Sequence, residues 1–238
     1  MAKPKVAVII PAYNEEERIG TVLRAVSQCK LADEIIVVSD ASKDRTAAVA
    51  RQFPNVRVLE LPFNTGKGGA MAAGAGATDA EILAFVDADL DGLKGTHVDQ
   101  IIRPILERRC DMCIGVFRGG KFWSDTAQRI SPYISGQRAM TRPLFDSIPF
   151  LSEIRMGVEV TINTYAKRSK ARIMRTVLSG VSNTYKETKL GLVKGVAART
   201  KMYAEIVRAM HRINRKNNRP PSGRITMRER KARGKRWK

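Results

Sequence analysis

Asp87 and Asp89 stand two residues apart, immediately after the apolar run Ile82-Leu83-Ala84-Phe85-Val86. Such a run, bounded by polar residues, reads as a buried strand, so both carboxylates fall at its mouth. Two ionised carboxylates at one mouth repel each other unless something positive lies between or near them. A divalent metal carrying a diphosphate meets that need, because hard cations take oxygen ligands. The pair is therefore a candidate metal–nucleotide site. Taken alone, Asp-x-Asp also fits two solvated loop carboxylates, and the neighbouring segments decide between the readings.

Those segments alternate strand and helix. Strands are expected at Val6–Ile10, Glu34–Ser39, Val56–Leu61, Glu81–Val86 and Met112–Phe117. Between them fall helical patterns at Glu15–Cys29, Lys43–Phe53 with Ser42 as N-cap, Gly68–Ala77 and His97–Arg108. In the first helix Ile19, Val22, Leu23 and Val26 share one face. The third is built of small residues and must pack closely against something. This order implies an α/β fold, a Rossmann-like, mostly parallel sheet with helices on both faces. Ligands in such sheets bind at the carboxyl ends of the strands. The loops Pro11–Glu15, Asp40–Asp44, Phe63–Lys67 and Asp87–Asp91 are then expected on one rim. Beyond Gly119 the pattern is less regular. Ile134–Arg138 reads as a loop or short strand, Met156–Glu159 leads into a helix through Tyr165, and Ile173–Leu178 reads as a strand.

The rim loops resemble the family 2 glycosyltransferases, which have the GT-A fold. Ile9-Ile10-Pro11-Ala12-Tyr13-Asn14-Glu15-Glu16 is similar to the family's opening element. Ser39-Asp40-Ala41-Ser42-Lys43-Asp44 resembles its D-D-G-S-x-D element, with Ser39 in place of the first Asp and Ala41 in place of Gly. Asn64-Thr65-Gly66-Lys67-Gly68 is similar to its N-x-G-K-G segment, and Asp87-Ala88-Asp89 to its metal-binding D-x-D.

The resemblance implies roles. Pro11, Ala12, Tyr13, Ser39 and Asp40 would line the base and ribose, and Glu15 would accept a hydrogen bond from a ribose hydroxyl. Tyr13 would either pack beside the base or recognise it directly. Asp89 and Asp87, around Ala88, would hold Mg²⁺ or Mn²⁺ on the diphosphate of a nucleotide sugar. Lys67, between glycines, would approach the same anion, against the plain alternative of a surface lysine. Metal and Lys67 together would stabilise the leaving diphosphate.

A narrower resemblance, to the retaining enzymes of the glucosyl-3-phosphoglycerate synthase type, rests on Ser135-Gly136-Gln137-Arg138-Ala139-Met140, Ile148-Pro149-Phe150 and Gly157-Val158-Glu159. It implies acceptor or donor-sugar contacts for Gly136, Gln137 and Arg138. It places Glu159 near the reacting centre, where an inverting enzyme would use it as a base. The alternative for Glu159 is a carboxylate serving a helix N-terminus. Related enzymes often supply a late histidine as third metal ligand. Here Gly180–Glu187 contains none, so Asn183 or water would take that place.

Of 43 Lys and Arg and 23 Asp and Glu, 16 and 2 fall in residues 194–238, so most of the formal charge of +20 sits at the C-terminal end. The expected organisation is a catalytic domain over 1–190 (a nucleotide-sugar half, 1–118, and an acceptor half, 119–190), a basic amphipathic helix over 191–213, and a disordered polybasic tail over 214–238. Residues 192–238 have the character of a segment that sits on an anionic membrane surface. No apolar run is long enough to span a bilayer, no signal-peptide pattern is present, and three cysteines suit a reducing compartment. A cytoplasmic protein, on the cytoplasmic face of a membrane where it meets one, is therefore expected. Its partners would be a nucleotide-sugar donor (UDP-glucose favoured), an acceptor hydroxyl or phosphate, lipid-linked or membrane-proximal, and, in an oligomer, a second copy. The rival readings are a nucleotidyltransferase, whose Gly-rich loop would follow the first strand where Pro11–Asn14 stands instead, and a nucleic-acid-binding protein acting through the tail, which lacks interleaved aromatics.

Overall fold

β1 (Val6–Ala12) is apolar almost throughout because both of its faces are covered. The computed structural model describes residues 3–118, 135–149, 151–154 and 157–183. The expected helix 191–213 and tail 214–238 lie outside the described residues, as does all of 119–134.

β1 is flanked by β2 (Glu34–Ser39) and β4 (Ile82–Phe85), both parallel to it, and β2 by β3 (Val56–Glu60). The sheet continues through β7 (Arg138–Thr141), β6 (Met112–Arg118) and β8 (Ile173–Ser179), in the order β3-β2-β1-β4-β7-β6-β8. Of these seven strands β7 alone is antiparallel to its neighbours, β4 and β6. A separate two-stranded ribbon pairs β5 (Leu90–Asp91) with β9 (Ser182–Asn183).

Helices α1 (Ile19–Val26), α2 (Thr46–Ala50) and α4 (Gly95–Leu106) belong to one layer, where Ile19, Val22, Leu23, Ala50, Ile101 and Ile105 bury against Val8, Ile10 and Ala84. Helices α3 (Gly66–Gly76), α5 (Arg142–Asp146) and α6 (Val158–Arg168) cover the other face through Met71, Phe145 and Ile162 against Ile9 and Phe85. The expected small-residue helix is α3, and its partners are now visible. A Cβ on Gly74 would lie 2.4 Å from Ile9 Cγ2, and one on Gly68 would lie 2.2 Å from the Leu151 carbonyl oxygen.

Several expected boundaries are corrected. α1 begins at Ile19 rather than Glu15, because Glu15 O accepts the amides of Arg18 and Ile19 in a turn that precedes the helix. α2 spans five residues, and Ser42 does not cap it. Ser42 Oγ instead accepts the Asn14 amide at 3.2 Å, joining the loop after β2 to the loop after β1. Arg138, expected at the end of a loop or short strand, is the first residue of β7. Cys113 in β6 and Cys110 just before it are buried in the core and unbridged, as packing residues would be.

Candidate active site

The reversed strand β7 builds the site. β4 ends at Phe85, and its register partner is Arg138, where β7 begins. Opposite strand directions therefore bring the residues just before β7 against those just after β4. A Cβ on Gly136 would fall 2.2 Å from Asp87 Oδ2, so only glycine lets the chain pass that close. Gln137 Nε2 donates to the same oxygen at 2.8 Å.

From the other layer, α3 contributes Lys67 in its first turn and α6 contributes Glu159 in its first turn. Lys67 Nζ lies 2.6 Å from Asp87 Oδ1 and 2.6 Å from Glu159 Oε1. Burial by itself would lower the Lys67 pKa, but the charges of Asp87 and Glu159 outweigh it and hold the ammonium protonated well above its usual range. Burial would likewise raise the Glu159 pKa, and Lys67 with Arg138 reverses that, leaving the carboxylate below its ordinary value. Arg138 is fully buried. Its guanidinium donates to the Ser135 carbonyl, to Asn163 Oδ1 at 3.2 Å and to the Glu159 carbonyl at 3.5 Å. Burial lowers its pKa, opposed by Glu159 and Asp87. The result is a polar cluster in which cations and carboxylates alternate, as a buried cluster must if its charges are to remain.

The loops on the nucleotide side are knitted to one another. Asp40 is 3% exposed, and both of its carboxylate oxygens are engaged. Oδ1 accepts from the Thr65 amide at 2.7 Å and Thr65 Oγ1 at 2.9 Å, and Oδ2 accepts from the Gly66 amide at 2.8 Å. A carboxylate from the β2 loop thus serves the N-terminus of α3 and aims Lys67. Glu16 Oε2 accepts the Arg45 amide and Asp44 Oδ2 accepts the Glu16 amide. Glu15 pairs with Arg18 at 3.4 Å, and its backbone amide meets Thr46 Oγ1 at 2.8 Å.

The expected site residues thus fall into two groups. Lys67, Asp87, Gly136, Gln137, Arg138 and Glu159 form one connected cluster. Pro11, Ala12, Ser39 and Asp40 lie at the adjacent ends of β1 and β2, where Ala12 pairs with Ser39 and Tyr13 follows with 45% of its surface exposed. Ala88 is buried and Asp89 is half-buried. β9 pairs with β5 so that Asn183 stands opposite Leu90, the residue after Asp89. Among the described residues no group of three His, Cys, Asp or Glu forms a ready metal cage. Sequence reasoning missed the positioning roles of Thr65 and Asn163. Neither carries a motif signal beyond adjacency to Gly66 and to the first turn of α6.

The model of the family described as "Glycosyl transferase family 2" matches residues 7–164, which spans both groups of site residues. The chain belongs to glycosyl transferase family 2. This family 2 chain is 29% identical over 195 residues to the glucosyl-3-phosphoglycerate synthase of Mycolicibacterium smegmatis, covering 67% of this chain and 64% of that protein. A dolichyl-phosphate beta-glucosyltransferase of Trichomonas vaginalis is 41% identical over 102 residues, 37% of this chain and 31% of that one. The chain therefore spans less than two thirds of the length of either curated relative. Among solved structures, glucosyl-3-phosphoglycerate synthase from Mycobacterium tuberculosis, in complex with Mn²⁺, UDP and glucosyl-3-phosphoglycerate, superimposes with a TM-score of 0.72 at 23% identity, covering 87% of this chain and 78% of that one. The shared architecture is the α/β GT-A fold.

Proposed function

We propose that this chain transfers a hexose from a nucleotide-diphosphate sugar, UDP-glucose in the first instance, to a hydroxyl or phosphate acceptor. The observation that carries the reading is Lys67 bound between Asp87 and Glu159 at the carboxyl ends of the parallel strands. A fixed ammonium there would meet the charge that develops on a leaving diphosphate. Two relatives support the choice of sugar, since glucosyl transfer is part of both of their names.

The residues present suit a divalent cation. Carboxylate oxygens are hard donors, and Asp87 and Asp89 supply them at one strand end. Asp89 and Asp87 would hold it together, with Asn183 opposite Leu90, the residue after Asp89, in the β5–β9 ribbon. When bound, Mg²⁺ or Mn²⁺ neutralises charge on the leaving diphosphate. The M. tuberculosis enzyme has been solved with Mn²⁺, UDP-glucose and phosphoglyceric acid.

The state of Glu159 favours a retaining course. A carboxylate paired with Lys67, with its pKa depressed, is a weak proton acceptor. Front-face attack, in which the leaving phosphate takes the acceptor proton, needs no protein base. Glu159 then positions Lys67.

The test is a titration of UDP-glucose and GDP-mannose with and without Mn²⁺, on the wild type and on Asp89→Ala. Manganese-dependent UDP-glucose binding that disappears in Asp89→Ala is the expected result. Binding unchanged by the substitution overturns the proposal.

A further inference from the structure

The side chains of Ser135, Gln137 and Arg138 are turned into the protein. Ser135 is 7% exposed, and Gln137 and Arg138 are completely buried. Arg138 directs its guanidinium to the Ser135 and Glu159 carbonyls and to Asn163. Gln137 lies between Asp87 and Ser135. Its Nε2 donates to Asp87 Oδ2 at 2.8 Å, and its Oε1 accepts from Ser135 Oγ at 3.1 Å. The Ser135 hydroxyl also reaches the Gly115 carbonyl, so its one proton is shared between two acceptors. The Gln137 main chain is fixed as well, because its carbonyl accepts the Gly115 amide at 2.8 Å. Gly115 belongs to β6. A line of hydrogen bonds thus runs from β6 through Ser135 and Gln137 to Asp87.

We infer that Gln137 is a positioning residue for Asp87, oriented by Ser135, and that residues 135–138 support the donor site instead of lining the acceptor pocket. This role rests on the donor reading proposed above. Only one orientation of the Gln137 amide fits. An ionised carboxylate only accepts, so Nε2 must face Asp87, and the reverse orientation would set Oε1 against Oδ2. The shared Ser135 proton then meets Oε1. With Oδ2 held by Gln137 and Oδ1 by Lys67 at 2.6 Å, both oxygens of Asp87 are fixed. Gly136 closes a further side, since a Cβ there would meet the same carboxylate. Fixed neighbours of this kind hold a working group in its productive geometry. A neutral amide does so without adding charge, whereas Glu at 137 would set a third carboxylate beside Asp87 and Glu159. An acceptor needs surface to touch, and Gln137 and Arg138 present none.

The experiment follows hydrolysis of UDP-glucose by the full chain in Mn²⁺, with water as the acceptor and glucose and UDP as products. Calorimetric titration of UDP-glucose and thermal unfolding accompany it. A residue that only binds the acceptor has no part in this reaction. Gln137→Met is expected to lower the hydrolysis rate about tenfold or more, and Ser135→Ala about fivefold, at a temperature where unfolding curves show both variants folded. Raising Mn²⁺ is expected to restore part of the rate, which a smaller folded fraction would not allow. Hydrolysis and UDP-glucose binding at the wild-type level in both variants overturn the inference, and Ser135→Ala alone decides it if Gln137→Met does not fold. A wild-type protein that neither binds nor hydrolyses UDP-glucose overturns the donor reading, and the role of Gln137 with it.

Discussion

Lys67 Nζ and Glu159 Oε1 stand 2.6 Å apart although 92 residues of chain separate them. With Asp87 on its other side, Lys67 joins the first turns of α3 and α6 to the end of β4. The ammonium thus has two tasks, to offset the charge of two part-buried carboxylates and to tie the segment after β4 to the first turn of α6. Substitutions can separate them.

Lys67→Met removes the shared cation and leaves Asp87 and Glu159 facing each other. Removing one partner of a buried ion pair costs about 3–5 kcal/mol. Lys67 retains 28% side-chain exposure, which reduces the expected loss to about 2 kcal/mol. Urea denaturation reads this directly, and sugar transfer is expected to fall by at least about a hundredfold. Unchanged stability would show that the two carboxylates do not depend on Lys67.

Acid should weaken the fold through Glu159. Its folded-state pKa lies below the unfolded value, so its contribution is fully present above the unfolded carboxylate pKa of about 4.3 and disappears as the pH falls through the folded value. Denaturation midpoints measured from neutral pH downward should therefore decline below about pH 5. Glu159→Gln should flatten that decline. If Glu159 were the base of an inverting reaction, Glu159→Gln would also abolish the rise of kcat with pH on the acid limb of the profile. If it positions Lys67, kcat falls without a change in the shape of the profile.

Gly136→Ala places a methyl group 2.2 Å from Asp87 Oδ2. Either Asp87 or the 135–137 segment must shift. Overpacking of this kind costs about 1–3 kcal/mol. Activity is expected to fall by more than tenfold, because Asp87 orients Lys67. A variant with wild-type turnover would show that the close approach of Gly136 is incidental.

Asp40→Asn tests the clamp on α3. One oxygen becomes an amide donor facing amide or hydroxyl donors of Thr65 and Gly66. A lost cap together with an unpaired buried donor should cost about 2 kcal/mol. Thermal unfolding checks the stability, and UDP-glucose titration is expected to show weaker binding, since Lys67 follows directly on Gly66.

Much of this site is legible along the chain. Continuous apolar runs such as Val6–Ile10 mark doubly covered strands, and their order dictates a parallel sheet with a ligand rim. Asp87, Asp89 and Lys67 stand out because each follows a strand end and sits among small or polar residues. The boundaries of α1 and α2 were not legible. Glu15–Arg18 has helical composition, but its carbonyl and side-chain groups are taken up by turns and by the neighbouring loop.

Local pattern also gave no means to decide what Asp40, Gln137 and Arg138 contact. Asp40 meets Thr65 and Gly66 across 25 and 26 residues, and Gln137 meets Asp87 across 50. The Asp40 contacts exist because β2 and β3 pair in parallel and open their following loops side by side, and the Gln137 contact because β7 enters the sheet antiparallel between β4 and β6; strand pairing and direction are global packing outcomes that no local period encodes. The amino-acid sequence by itself determined the layered α/β architecture, the rim and the residue types that face it, since hydrophobic periodicity and motif spacing are local properties. Only the tertiary structure decided that Lys67 bridges Asp87 and Glu159, and that Arg138 is buried behind them, because charge pairing in a core depends on which distant segments the fold brings within hydrogen-bonding reach.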